Sequence, residues 1–98
     1  MHENRHLRVQ LTLLPASAGG RKTAQPAEEF QTVLVSPGRR HFFAAIFPAA
    51  PLLPGGSAVN CEVQFAAEEA TGHFPAGTQF DIWEDGRKGY GTTLRVLS

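Results

Sequence analysis

Ten glycines and seven prolines cut this chain into short runs, and the cuts fall between apolar segments. Gly19-Gly20, Pro37-Gly38, Pro54-Gly55-Gly56, Gly72, Pro75-Ala76-Gly77 and Asp85-Gly86 all stand at such borders. These residue types supply the positive or preset φ that a reversing backbone needs. Between the cuts the side chains alternate. Leu7, Val9, Leu11 and Leu13 interleave with Arg8, Gln10 and Thr12, and Val59, Cys61, Val63 and Phe65 interleave with Asn60, Glu62 and Gln64. A period of two is that of a strand with one buried and one wet face.

Extending this reading along the chain gives six strands, at roughly Leu7–Leu14, Phe30–Val35, His41–Phe47, Ala58–Phe65, Gln79–Glu84 and Lys88–Leu97. Such regular spacing indicates an all-β sandwich or a small closed barrel. The third run is ambiguous, because Phe42, Phe43, Ile46 and Phe47 are apolar on both faces. A strand covered on both sides is the plainer expectation, and an exposed partner-binding face is the sharper one. Ala67-Glu68-Glu69-Ala70 reads equally as a helical turn or a loop.

Asp85-Gly86 is the strongest local signal, since a two-residue type I′ turn needs positive φ at both central positions. Counting outward pairs Glu84 with Arg87, Trp83 with Lys88 and Ile82 with Gly89. That register would place Arg95 on the face of Phe80 and Ile82, whereas hydrophobicity asks for Leu94 and Val96 inside. A slip of one residue is therefore expected, with Gly89 and Gly91 as the place for a bulge.

Charge and cysteine content narrow the functional classes. Nine Lys and Arg balance nine Asp and Glu, giving a formal net charge of +0. This disfavours nucleic acid as a default partner, because phosphate binding rests on a basic excess. Cys61 is the only cysteine, so an internal disulfide and a multi-cysteine metal site are both ruled out. A reducing, cytoplasmic setting is the expectation. Residues 1–6 are polar and carry no apolar signal core, so they read as a flexible N-terminus ahead of one β-barrel domain over 7–98. No apolar run reaches the ~18 residues of a membrane span.

Candidate site residues are few. The basic pairs Arg21-Lys22, Arg39-Arg40 and Arg87-Lys88 stand in or beside turns. Convergence would make an anion site with Arg supplying a two-pronged fork, and the alternative is turn charge paired with Glu28, Glu29, Glu84 or Asp85. Trp83 alternates outward from Phe80 and Ile82, with Tyr90 nearly opposite. Such an aromatic pair beside Arg87 and Lys88 suits a protein partner, and cross-strand stacking is the structural alternative. His2, His6, His41 and His73 are scattered and suggest no metal centre, which needs three or four convergent ligands. Cys61 faces inward and reads as a small buried hydrophobe. The adjacent acidic pairs Glu28-Glu29, Glu68-Glu69 and Glu84-Asp85 point to opposite faces of a strand, which disfavours an enzyme.

Several of these segments together resemble the C-terminal β-barrel, the third domain, of bacterial elongation factor Tu. Leu7–Leu14 leading to Gly19-Gly20-Arg21-Lys22-Thr23 is similar to that family's opening strand and Gly-Gly-Arg turn. Leu53-Pro54-Gly55-Gly56 before Ala58–Phe65 is similar to its Met-Pro-Gly-Asp turn before a long strand. Phe80-Asp81-Ile82-Trp83-Glu84-Asp85-Gly86-Arg87, followed by Gly89 and Gly91, is similar to its closing Phe-x-Ile-x-Glu-Gly-Gly-Arg with two spaced glycines. Two local differences stand out: Gln25-Pro26-Ala27-Glu28-Glu29 replaces the family's Tyr-Arg-Pro, and the interval from Arg87 to Gly89 is one residue shorter. No phosphate-binding Gly-x-x-x-x-Gly-Lys-Ser/Thr loop is present, so no nucleotide site is expected.

The resemblance implies a six-stranded antiparallel barrel of Greek-key type that binds or packs and does no chemistry. The expected function is a stand-alone, non-catalytic module for protein–protein interaction without cofactor or metal, contacting its partner through Arg21, Lys22, Trp83, Arg87, Lys88 and Tyr90. Binding of tRNA is the alternative that the resemblance favours and the neutral charge disfavours. A self-associating structural subunit is the third reading.

Overall fold

The computed structural model describes residues 6–97. Its six strands are β1 (His6–Leu13), β2 (Phe30–Val35), β3 (His41–Pro48), β4 (Val59–Phe65), β5 (Gln79–Trp83) and β6 (Arg87–Leu97). They close into one barrel in the order β1-β4-β3-β2-β5-β6, with every neighbouring pair antiparallel. β2, β3 and β4 form a meander and β1 returns beside β4, which is the Greek-key arrangement. Of the expected flexible segment 1–6, residues 1–5 lie outside the described residues and His6 opens β1. No helix among the described residues is long and apolar enough to cross a membrane.

The alternating segments build the interior as their period demands. Leu7, Val9 and Leu11 are fully buried and Leu13 nearly so, facing Cys61, Val63 and Phe65 from β4. The connections cap the two ends. At one end the β1–β2 and β3–β4 links meet at the bridge Gln25–Leu52 and bury Leu52. At the other, Glu68–His73 forms a 3-10 helix that settles the ambiguous acidic segment and leads Phe74 into the barrel. Phe74 stacks on Phe65 at 5.0 Å between ring centroids and meets Phe42 and Phe80 edge-on at 5.8 and 5.5 Å. Burying such a ring is worth roughly 1.5–3 kcal/mol, with offset or edge-on pairing adding about 0.5–1.5 kcal/mol.

Three expectations are corrected. β3 is covered on one face only: Phe42, Ala44 and Ile46 are buried, whereas Phe43 is 74% exposed and Phe47 38% exposed. The closing hairpin has a three-residue loop, with Trp83 opposite Arg87 and Asp85 and Gly86 both at positive φ. Glu84 leaves the ladder, its N–H donating to the Gly86 carbonyl at 2.9 Å, and its carboxylate is held by Arg21. The register slips at Lys88, just before the two glycines, and again at Leu94, which is left over between Arg8–Arg95 and Val9–Thr93.

Leu94 is consequently exposed and Thr93 is buried in its place, whereas Val96 is back in phase opposite the buried Leu7, on the inward side that hydrophobicity asks for, and is 41% exposed near the end of the strand. Gly89 and Gly91 themselves pair regularly, opposite Ile82 and Phe80. Close packing explains them. A Cβ on Gly89 would lie 2.5 Å from the Thr12 carbonyl oxygen, and one on Gly91 would lie 2.6 Å from both Leu11 and Phe80 side-chain atoms.

Candidate functional site

Strand register decides which of the candidate side chains share a surface. Val33 lies opposite both Phe43 and Trp83, and Trp83 lies opposite Arg87. Phe43, Val33, Trp83 and Arg87 thus form one row across β3, β2, β5 and β6. Val35 lies opposite His41 and Asp81, and Asp81 opposite Tyr90. His41, Val35, Asp81 and Tyr90 form the next row. Neighbouring strands are roughly 4.8 Å apart and like-facing residues of one strand roughly 6.7 Å apart, so the eight residues cover one continuous outer patch.

Within that patch the rings of Trp83 and Tyr90 are anchored. Trp83 is half-buried, its ring 6.2 Å from His41. Val35 is buried although it belongs to the outward rows. Phe43 stands clear of its neighbours. The Arg87 Nε donates to Asp81 Oδ1 at 2.8 Å, and its guanidinium lies 5.4 Å from the Tyr90 ring centre. Arg39, from the β2–β3 turn, brings Nη1 to 3.8 Å of the other Asp81 oxygen. Two guanidinium groups therefore flank one carboxylate beside an exposed tyrosine. They border a cleft of about 280 Å3 that Ser36, Gln79 and Thr92 also line.

The remaining predicted residues stand elsewhere, and two of them, Arg21 and Lys88, have structural duties. Arg21 makes a forked pair with Glu84, with Nε to Oε1 at 2.9 Å and Nη2 to Oε2 at 2.5 Å, and also reaches Gln25. Its guanidinium covers the Phe30 ring at 5.1 Å. Burial of Glu84 opposes ionisation, but the Arg21 hydrogen bonds and charge outweigh it. The nearby Lys88 charge helps, as does the Thr32 hydroxyl, which meets no strict hydrogen-bond geometry, so the Glu84 pKa is lowered. Lys88 Nζ donates to the Gly19 carbonyl at 3.0 Å, tying the β1–β2 link to the hairpin. Lys22 is exposed beside this ion pair.

Of the six predicted positions, Trp83, Arg87 and Tyr90 come together on the outer patch. Arg21, Lys22 and Lys88 belong to the loop-covered end. The alternative reading, cross-strand stacking of Trp83 with Tyr90, is replaced by Trp83 on His41 and Tyr90 under Arg87. Sequence reasoning missed Asp81 and Val33 as members of the patch. Arg39 and Phe43 carried signals, one as half of a basic pair and the other as an apolar residue out of phase.

Other chemistry-bearing groups offer less. Cys61 is buried, and burial pushes its thiol up to about 12. Among the described residues no group of three or more His, Cys, Asp or Glu side chains converges as a metal site would require. The chain matches no protein-family model, and no curated protein matches it.

Proposed function

We propose that this chain is a non-catalytic protein-binding module whose contact face is the outer patch centred on Phe43, Val33 and Trp83. The observation that carries this reading is Phe43, a phenylalanine 74% exposed and in register, through Val33, with Trp83. Aromatic residues and arginine dominate the energetics of protein interfaces, and here Trp83, Tyr90, Phe43 and Arg87 occupy two adjacent rows. Closure of the barrel adds a second argument. A closed barrel has no free strand edge, so recognition by strand addition is denied to it and side chains on the outer face must do the work. The resemblance to the elongation factor Tu barrel, which in that family binds rather than catalyses, agrees with this.

RNA binding has less support. Arg21 and Lys88 are engaged internally and Arg8 faces Glu62 at 4.0 Å, so these cations of the described residues are already partnered and less available to a phosphate backbone. The deciding experiment compares the wild type with a Phe43→Ser, Trp83→Ala variant in capture from native lysate at physiological salt. One protein retained in near-equal amount by the wild type and lost by a folded variant is the expected result. Equal recovery by both, or recovery of none by either, overturns the reading. Sedimentation of the purified chain identifies a second copy as the partner if association disappears in the variant.

A further inference from the structure

We infer that the Arg39–Asp81–Arg87 cluster is the docking point for a carboxylate side chain of the partner, an acidic residue carried next to apolar ones. The inference rests on the protein-binding reading and adds the partner's chemistry to it.

The backbone of Arg39 is the first observation. Its N–H donates to the Ser36 carbonyl at 2.8 Å, and the Ser36 N–H to the Arg40 carbonyl at 2.9 Å. The resulting tight turn holds Pro37 and Gly38 at its centre and Arg39 in the left-handed region at φ 65. Glycine is the ordinary occupant of that bulge position, because a side chain there crowds the backbone. The ion pair does not offset this, since at 3.8 Å and with Arg39 70% exposed it is of the weak surface kind. Arg39 therefore earns its place by something other than stability, and residues in strained conformations cluster at ligand-binding positions.

Arg87 supplies the second half. It spends Nε on Asp81, while its two Nη groups, the prongs that match a carboxylate, bond to no other described residue. Asp81 holds both guanidinium groups from opposite oxygens, and the trio carries one net positive charge. One carboxylate neutralises it; a phosphate dianion would leave an excess negative charge beside Asp81. The cleft of about 280 Å3 takes a side chain of glutamate size. Trp83, two residues from Asp81 on the same face of β5 and opposite Val33, stands next along that face from the cleft, so an acidic residue with apolar neighbours can reach both.

The test is an NMR titration of the 15N-labelled chain with the capped peptide acetyl-Leu-Glu-Phe-amide, its glutamine counterpart and inorganic phosphate. The glutamate peptide is expected to shift the amides of 36–40 and 79–92 and to bind about tenfold more tightly than the glutamine peptide. Arg39→Gly and Arg87→Gln should each remove most of that difference. Equal binding of the two peptides, no shift at about 10 mM glutamate peptide, or stronger binding of phosphate at the same amides overturns the inference. Equal binding of the two peptides leaves the protein-binding reading intact, because that reading stands or falls on capture by Phe43 and Trp83. Capture that fails while the glutamate peptide binds would reject the partner face and keep the carboxylate site.

Discussion

Adding one methyl group at Gly91 tests the packing of the whole barrel wall. Gly91 lies between Leu11 of β1 and Phe80 of β5, and a Cβ there would stand 2.6 Å from Leu11 Cδ2, 2.6 Å from Phe80 Cζ and 2.7 Å from the Gln10 carbonyl oxygen. Carbon atoms pack best at about 3.5–4.0 Å, so two contacts fall short by about 1 Å. None of the three neighbours can yield freely. Leu11 and Phe80 are buried, Phe80 is braced against Phe74, and the Gln10 oxygen belongs to the backbone of β1. Overpacking of a dense core costs about 1–3 kcal/mol, and obstruction from three directions puts Gly91→Ala at the upper end, about 3 kcal/mol.

For a domain of this size that loss lowers the melting temperature by roughly 12–24 °C. In urea it should appear as a lower midpoint with an unchanged slope. Gly72→Ala is the control: nothing lies within 4 Å of its Cβ position, and the change should stay within about 0.5 kcal/mol. In a Phe80→Leu background the Gly91→Ala penalty should shrink, because one of the three obstacles is gone. A Gly91→Ala loss below about 1 kcal/mol would refute the claim that this glycine is demanded by close approach.

Arg39→Gly relieves the left-handed backbone and gives up only a weak ion pair, so stability should rise by up to about 1 kcal/mol; a loss above about 0.5 kcal/mol by urea unfolding would contradict it. Glu84→Gln leaves the Arg21 guanidinium, 20% exposed, without its counter-charge and should cost about 1.5–3 kcal/mol at pH 7. Because the Glu84 pKa is lowered in the folded state from the ordinary 4.5, its contribution is complete above that ordinary value and is lost as pH falls through the folded one. Wild-type stability should therefore drop more steeply in that acid range than that of the variant, and parallel curves would count against the ion pair. Cys61, buried with its thiol pushed up to about 12, should react with a thiol reagent at pH 8 only as fast as the barrel opens; rapid stoichiometric labelling of the native protein would disprove its burial.

What the sequence disclosed and what it hid have separate physical causes. β1 and β4 were legible because their inward residues are apolar and their outward ones polar, so period and environment agree. β3 was not, since Phe43 and Phe47 are apolar and outward, and no count of hydrophobic residues separates a doubly covered strand from one with an exposed apolar face. β6 misled for the opposite reason. Its interior phase is set by Gly89, Gly91 and Thr93, the glycines being required where Ile82, Leu11 and Phe80 fill the space, while the more hydrophobic Leu94 is the bulge residue and falls outside, and Val96 returns to the inward phase opposite Leu7 only near the strand end. Hydrophobicity there follows the space left by neighbours rather than the strand's own period.

The candidate site was half legible for a related reason. Arg87 and Tyr90 are close in sequence and share a strand, but Arg39 and Asp81 lie far apart along the chain and meet only because β2 is inserted beside β5. The same topology separates the two kinds of arginine. Arg21, folded over Phe30 and forked onto Glu84, secures a loop to the barrel end and is consumed in doing so. Arg39 and Arg87 share a single carboxylate between them, so one positive charge remains unmatched on the face that also exposes Phe43. A chain with no net charge can therefore still present a locally cationic, aromatic surface. The proposed partner, apolar and bearing a carboxylate, would suit such a face, because burying the unmatched charge against a purely apolar surface would leave a desolvated cation uncompensated.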